Sequence, residues 1–252
     1  MIFVSAAFQH FFCFATEKME QTQLAGHIGL NNYLRTLLTN ERLEKFERVI
    51  HQRTRHVTLV TENILEEHNV NAVMRSCECL GVQDVYVINN LKHFKPARKV
   101  LQGSHKWLTL NKYDERGSNN TGRCVADLRA KGYKIAVTSF QPDALPLEEI
   151  NIKHPLAVVF GNEGDGVSEY LLKQADYKLI IPMSGFTSSF NISVSAGIIL
   201  HHLLYRLKQS GINWQLTPAE KEQVQFGWIR NSLKDFDYLV KYYFEKDGGN
   251  NI

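Results

Sequence analysis

The stretch from Leu156 to Leu200, LAVVFGNEGDGVSEYLLKQADYKLIIPMSGFTSSFNISVSAGIIL, constrains this chain most. It reads as a buried strand (Leu156 to Phe160), a glycine loop (Gly161, Gly164, Gly166) and a short helix (Val167 to Gln174). A second buried strand (Tyr177 to Met183), a polar loop and a long apolar helix (Asn191 to Gln209, closed near Gly211) follow. Two apolar runs of strand length, each emptying into small and polar residues, are how an α/β protein builds a ligand site at the carboxyl ends of its strands. Both loops are therefore candidate sites.

Upstream, the same alternation recurs. A strand at His56 to Val60 precedes a helix from about Val70, in which Val70, Val73, Met74, Cys77 and Leu80 follow the helical period before Gly81 ends it. Asp84 to Ile88 is another strand, and an amphipathic helix around Cys124 to Lys131, stopped by Gly132, leads into the strand Tyr133 to Thr138. This β-α-β order predicts a largely parallel sheet flanked by helices. Before it, Asn40 is expected to cap a helix with Leu43, Phe46, Val49 and Ile50 on one face, leaving Arg35, Arg42, Lys45, Arg48, Arg53 and Arg55 available in solvent. That helix is either a plain surface element or one that faces RNA. After it all, Thr217-Pro218-Ala219-Glu220 is a capping box with proline at the first helical position. The helix it opens carries Val224, Trp228, Ile229 and Leu233, and the aromatics Phe236, Tyr238, Tyr242, Tyr243 and Phe244 beyond it must cover the body or a second subunit. The expected division is an over-extended or disordered start at 1–20, an N-terminal helical extension at 21–55, an α/β domain at 56–211 and a C-terminal helical extension at 212–252.

Composition narrows the class without naming it. With 252 residues of which 44% are hydrophobic, the chain can build a sizeable core. A net charge of +3 is compatible with an RNA partner but decides nothing, because clustering matters more than the total. Cys77-x-Cys79 has no second pair to complete a zinc site, and the adjacent His201 and His202 lack ligand spacing, so no metal is expected. The apolar start MIFVSAAFQHFFCF has no Lys or Arg before it and is broken by His10, which favours a start at Met19 over export. No later apolar run is long enough to span a bilayer, so a cytoplasmic protein is expected.

The two loops differ in chemistry. Gly161-Asn162-Glu163-Gly164-Asp165-Gly166 is spaced G-x-x-G-x-G rather than G-x-G-x-x-G, and Glu163 and Asp165 would repel a pyrophosphate. A ribose, amine or sulfonium ligand suits its carboxylates and amides better, and a nucleotide-dependent oxidoreductase is correspondingly disfavoured. The second loop offers Ser184, Thr187, Ser188, Ser189 and Asn191 at a helix start, either as ligand groups for a carboxylate or as a serine-rich turn with an N-cap. A third candidate is Asn69-Val70-Asn71-Ala72-Val73-Met74-Arg75, where Asn71 and Arg75 are four apart and so share a helix face. Arg75 either forms a surface ion pair or holds a phosphate with its planar fork.

Taken together, Asn71-x-x-x-Arg75, VVFGNEGDGVSE with LIIPM, and SSFNISVSAGIIL resemble the motifs of the SpoU branch of the SPOUT RNA ribose 2′-O-methyltransferases. The segment GSHKW, Gly103 to Trp107, is similar to the TrmH-type tRNA (guanosine-2′-O)-methyltransferases that modify the D-loop. The match spans roughly residues 40 to 230. It implies an α/β fold with a C-terminal trefoil knot, a homodimer, a tRNA substrate and S-adenosylmethionine as cofactor, bound by Thr138, Gly161, Glu163, Ile181, Met183, Ser189 and Phe190. It also implies that Arg75, Asn71, Ser189 and Asn191 act in catalysis. Family proposals make the arginine a base, but a guanidinium is effectively always protonated, so Arg75 is expected to clamp the target phosphate and ease the developing alkoxide. Lys92, Lys95, Arg98, Lys99, His105 and Lys106, interleaved with Phe94 and Trp107, form the expected RNA-binding stripe, whose alternative is a solvated loop. A ribosomal-RNA enzyme of the same family, or an RNA-binding module without catalysis, would share these features.

Overall fold

A computed structural model describes residues 24–90 and 103–247. The chain runs α1 (Ile28–Thr36), α2 (Asn40–Ile50), β1 (Val57–Glu62), α3 (Glu67–Leu80) and β2 (Asp84–Ile88). It continues through a 3-10 turn (Ser104–Trp107), β3 (Thr109–Tyr113), α4 (Asn120–Ala130), β4 (Lys134–Thr138) and β5 (Leu145–Pro146). It closes with β6 (Leu156–Phe160), α5 (Glu169–Gln174), β7 (Tyr177–Ile180), α6 (Ile192–Gln209), α7 (Pro218–Ser232) and α8 (Phe236–Asp247). These elements form two compact units, one within residues 52–216 and one built from the described residues of both ends, 24–51 and 217–247.

The first unit is a 7-stranded sheet in the order β3-β2-β1-β6-β4-β7-β5, parallel throughout. At its centre burial is complete: every residue of β1 and of β6 is buried, including the polar Thr58, Thr61 and Glu62 of β1. Alternate side chains serve opposite faces. Leu59, Val158 and Ala136 stand in register on one face and pack against α3 and α6. Val60, Val159 and Val137 stand on the other with α4 and α5. Burying each such Val or Leu is worth about 1.5–3 kcal/mol, so the central strands fix the layer order. Gly81, which ends α3, has φ +91, and a Cβ there would lie 2.3 Å from the Gln52 carbonyl oxygen, so glycine is required for the chain to turn into β2.

Several local expectations shift. The sheet's edges, β3 and β5, have no counterpart in the apolar-run pattern because both are half-exposed and β5 is a Leu-Pro pair. β7 stops at Ile180 rather than Met183, since its partners end there and Pro182 has no N–H to donate. α3 starts at Glu67 and α4 at Asn120, both earlier than the apolar period alone indicates. Arg53 is not solvated: it is buried, with its guanidinium 2.8 Å from Glu78 and donating to the Val82 carbonyl. Arg55 pairs with Asp84 at 3.1 Å. The Cys77 and Cys124 thiols are buried, which pushes both pKa values up and leaves them unreactive packing groups.

In the second unit α2 is capped by Thr39, not Asn40. Thr39 has the extended backbone an N-cap needs, and its Oγ1 accepts from the Arg42 amide at 3.3 Å, while Asn40 is already helical. The capping box at Thr217 and Glu220 forms as expected. The terminal aromatics cover the N-terminal helices: Tyr243 stacks on Tyr33 with ring centroids 5.4 Å apart, and His27 meets both Tyr243 and Phe244 edge-on. Among the described residues no helix is long and apolar enough to cross a membrane.

Candidate active site

A cleft of about 780 Å³ opens at the carboxyl ends of β4, β6 and β7. It lies beside the point where strand order reverses, between the β1-β2-β3 half of the sheet and the β4-β7-β5 half. Thr138 and the residues after it, the glycine loop, and the segments around Ile181 and Ser189 line it.

The glycine loop is a hairpin closed on itself. Asn162 and Gly166 exchange backbone hydrogen bonds of 3.0 and 3.1 Å, and Asn162 Oδ1 accepts from the amides of Gly164 and Asp165 at 2.8 and 2.7 Å. Gly166 has φ +72. A Cβ on Gly161 would lie 1.9 Å from the Gly166 carbonyl carbon, so the turn exists only because position 161 has no side chain. The consequence corrects one expectation: the amides of Gly164, Asp165 and Gly166 are spent inside the loop and do not serve a ligand. What the wall offers is carboxylates and close backbone, which suits hydroxyls and a sulfonium and excludes a phosphate cradle. The loop's exit is fastened by Glu62, a buried carboxylate that accepts from the Ser168 amide and hydroxyl and from the Thr121 hydroxyl at 2.8–2.9 Å.

The second loop leads into α6 through Asn191. Its Oδ1 accepts from the Ser193 amide at 2.8 Å, so it is the N-cap, while its Nδ2 donates to Asn69 Oδ1 at 3.2 Å. Asn69 Nδ2 in turn donates to Glu163 Oε1 at 2.7 Å. One nearly buried carboxamide at the start of α3 thus joins the two cleft loops. Asn69 opens the third candidate stretch of the sequence, but no role is expected of it there. Its signal was that asparagine is a poor helix former placed at a helix start, where a side-chain hydrogen bond is its usual reason.

All the expected cofactor residues, Thr138, Gly161, Glu163, Ile181, Met183, Ser189 and Phe190, line this cleft, as does Asn191. Asn71 does not. It is 0% exposed, and among the described residues neither carboxamide atom finds a partner. Arg75, one turn on, is exposed in a separate shallow groove of about 410 Å³ with Ser76, Cys79, Ser193, Val194 and Gly197. Spacing of four residues gave the two a common helix face, but what packs over each position decides exposure, and that is a tertiary matter. Of the basic stripe, Lys92, Lys95, Arg98 and Lys99 lie outside the described residues. His105 and Lys106 stand in the 3-10 turn after Gly103, which is anchored where Gln83 Nε2 donates to the Trp107 carbonyl at 3.2 Å. Among the described residues no group of His, Cys, Asp and Glu could hold a metal ion.

An all-parallel, doubly wound sheet with an acceptor-rich cleft at its strand ends defines an α/β protein that binds a small organic ligand at its switch point. The chain belongs to the SpoU rRNA Methylase family, whose model matches residues 56–201. It is 35% identical over 206 residues to the tRNA (guanosine(18)-2′-O)-methyltransferase of Borreliella burgdorferi, covering 82% of this chain and 92% of that protein. The enzyme of the same name from Aquifex aeolicus is 30% identical over 203 residues, covering 80% and 91%. Among solved structures, the A. aeolicus TrmH/SpoU tRNA modifying enzyme superposes with a TM-score of 0.69 at 28% identity, over 77% of this chain and 98% of that one.

Proposed function

We propose that this chain is an S-adenosylmethionine-dependent methyltransferase acting on a ribose 2′-hydroxyl of tRNA, at the D-loop guanosine named for its relatives. The observation that carries this is the gathering of Gly161, Glu163, Ser189 and Asn191 into one acceptor-rich cleft by a chain that matches those relatives over most of their length. The cofactor fits the residues present: the bare backbone at Gly161 permits close approach, and Glu163 supplies a carboxylate toward hydroxyls or positive charge. When bound, S-adenosylmethionine supplies an electrophilic methyl group on a sulfonium. Thr138, Gly161, Glu163, Ile181, Met183, Ser189 and Phe190 would hold it. Asn69 keeps Glu163 and Asn191 in fixed relative position. Arg75 holds the RNA phosphate and offsets charge developing on the 2′-oxygen.

Three further features belong to the proposal. The trefoil knot is supported by Arg206 of α6, whose guanidinium donates to the carbonyls of Leu147 and Ile150 in the β4–β6 connection that a knotted chain would thread. The homodimer is supported by an apolar stripe on α6, Val194, Ile198 and Tyr205, left exposed at helical spacing. Val194 also borders the Arg75 groove, so a dimer formed on this stripe brings Arg75 to its seam. A cytoplasmic location follows from the substrate.

Incubation with labelled methyl donor and transcripts of whole tRNA and of ribosomal-RNA fragments tests the function. Label is expected in tRNA, at a 2′-oxygen in the D-loop; label in ribosomal RNA alone, which the family's name makes the second reading, would overturn the substrate. Replacing Ile198 by Glu is expected to turn a sedimenting dimer into a monomer with an unchanged circular-dichroism spectrum and little methyl transfer. A wild-type monomer with full activity would refute the seam.

A further inference from the structure

Among the described residues exposed phenylalanine is confined to one region. Among the described residues the phenylalanines that stand open are Phe140 (68%), Phe186 (112%) and Phe190 (46%), and all belong to the loops that follow β4 and β7 at the cleft. Phe140 and Phe190 line the cleft itself. Phe186 does not: it is as open as in an extended peptide, on a loop otherwise made of Ser184, Gly185, Thr187 and Ser188, none of which can shelter it. Leaving a whole ring in water forgoes what burial would return, so an aromatic in this place has work to do when a partner arrives.

We infer that Phe186 is the stacking platform for the nucleobase whose ribose enters the cleft. This rests on the function proposed above and extends it to a residue that touches neither cofactor nor ribose. A ribose presented to Ser189 and Asn191 carries its base on the adjacent ring carbon, so the base lies within a few ångströms of the same loop. Bringing that ribose to the cleft takes the base out of its own stack, and an aromatic face replaces what is lost. Stacking is tolerant of base identity because every base has a π-face. Phe186 therefore contributes to capture and to placement, and not to the choice of guanine over other bases. Phe140 and Phe190, inside the cleft, remain with the cofactor. The α6 stripe serves the second copy, which leaves Phe186 for RNA.

The test uses full-length protein and a tRNA transcript with 2-aminopurine in place of the target guanine, whose fluorescence is quenched when the base stacks. Wild-type protein is expected to quench it; Phe186→Ala is expected to abolish the quench and lower kcat/KM for unmodified tRNA by about ten- to a hundredfold. Phe186→Trp should restore both, Phe186→Leu neither, and the affinity for S-adenosylmethionine should be equal in all four proteins. A normal quench and normal kcat/KM in Phe186→Ala would overturn the inference. So would a shift of the dimer to monomer in sedimentation, which would assign the ring to a second copy, or a loss of cofactor binding, which would assign it to adenosine. If wild-type protein methylates no tRNA, the failure lies in the proposed function and not in the role of Phe186.

Discussion

Arg75→Ala is expected to lower methyl transfer to tRNA by at least about 10²–10³-fold, the cost typical of removing a group that stabilises developing charge. Affinity for S-adenosylmethionine is expected to stay within about twofold, because Arg75 opens on its own groove and contributes nothing to the cofactor cleft. The chemical need is clear: a ribose hydroxyl is a weak acid, and its oxygen must shed a proton as it attacks. A guanidinium cannot take that proton, but it can hold the neighbouring phosphate bidentately and stabilise the negative charge that builds nearby. Arg75→Lys separates geometry from charge, since lysine keeps the positive charge without the planar fork, and its rate should fall between the other two. Single-turnover methylation with saturating cofactor reads the effect. Normal turnover by Arg75→Ala would remove the residue from the mechanism.

The second large effect is at Gly161. Alanine there would put a Cβ 1.9 Å from the Gly166 carbonyl carbon, 2.0 Å from its oxygen and 2.1 Å from the Val167 nitrogen, where real Cβ atoms essentially never come under 3.0 Å. These are backbone atoms, which no rotamer change relieves. The Asn162–Gly166 pair must open, and Glu163 then leaves Asn69, so both cleft loops lose their common anchor. Overpacking costs about 1–3 kcal/mol where side chains can adjust and more where they cannot, which predicts at least about a hundredfold loss of cofactor affinity in titration calorimetry. Gly185→Ala is the control: its Cβ would meet nothing closer than the Thr187 nitrogen at 4.0 Å, so binding should be unchanged. Equal binding by Gly161→Ala would show that the hairpin does not shape the cofactor wall.

How much of this was legible varies by element. β6 was plain as an unbroken apolar run because a central parallel strand is buried on both faces, and β1 was legible although it buries Thr58 and Thr61. The edges β3 and β5 were not, because strands covered on one side leave no continuous run. Thr39 and Asn40 are both good caps in adjacent positions, and only the backbone angles chose Thr39. Every cofactor residue that the family resemblance implies lines the cleft, at or beyond the ends of β4, β6 and β7. Asn69 was missed because its partners, Glu163 and Asn191, are 94 and 122 positions away.

By itself, then, the sequence determined the central strands, the glycine loop after β6, the capping box at Thr217 and the family, since burial period and backbone sterics act over a few residues. Only the tertiary structure decided which polar groups share a site. The insertion of β6 between β1 and β4 brings the glycine loop to the head of α3, and there Asn69 reaches both loops while Asn71 is enclosed and Arg75 faces away. That choice depends on strand order and on what packs over each helix turn, and neither is a property of any local stretch.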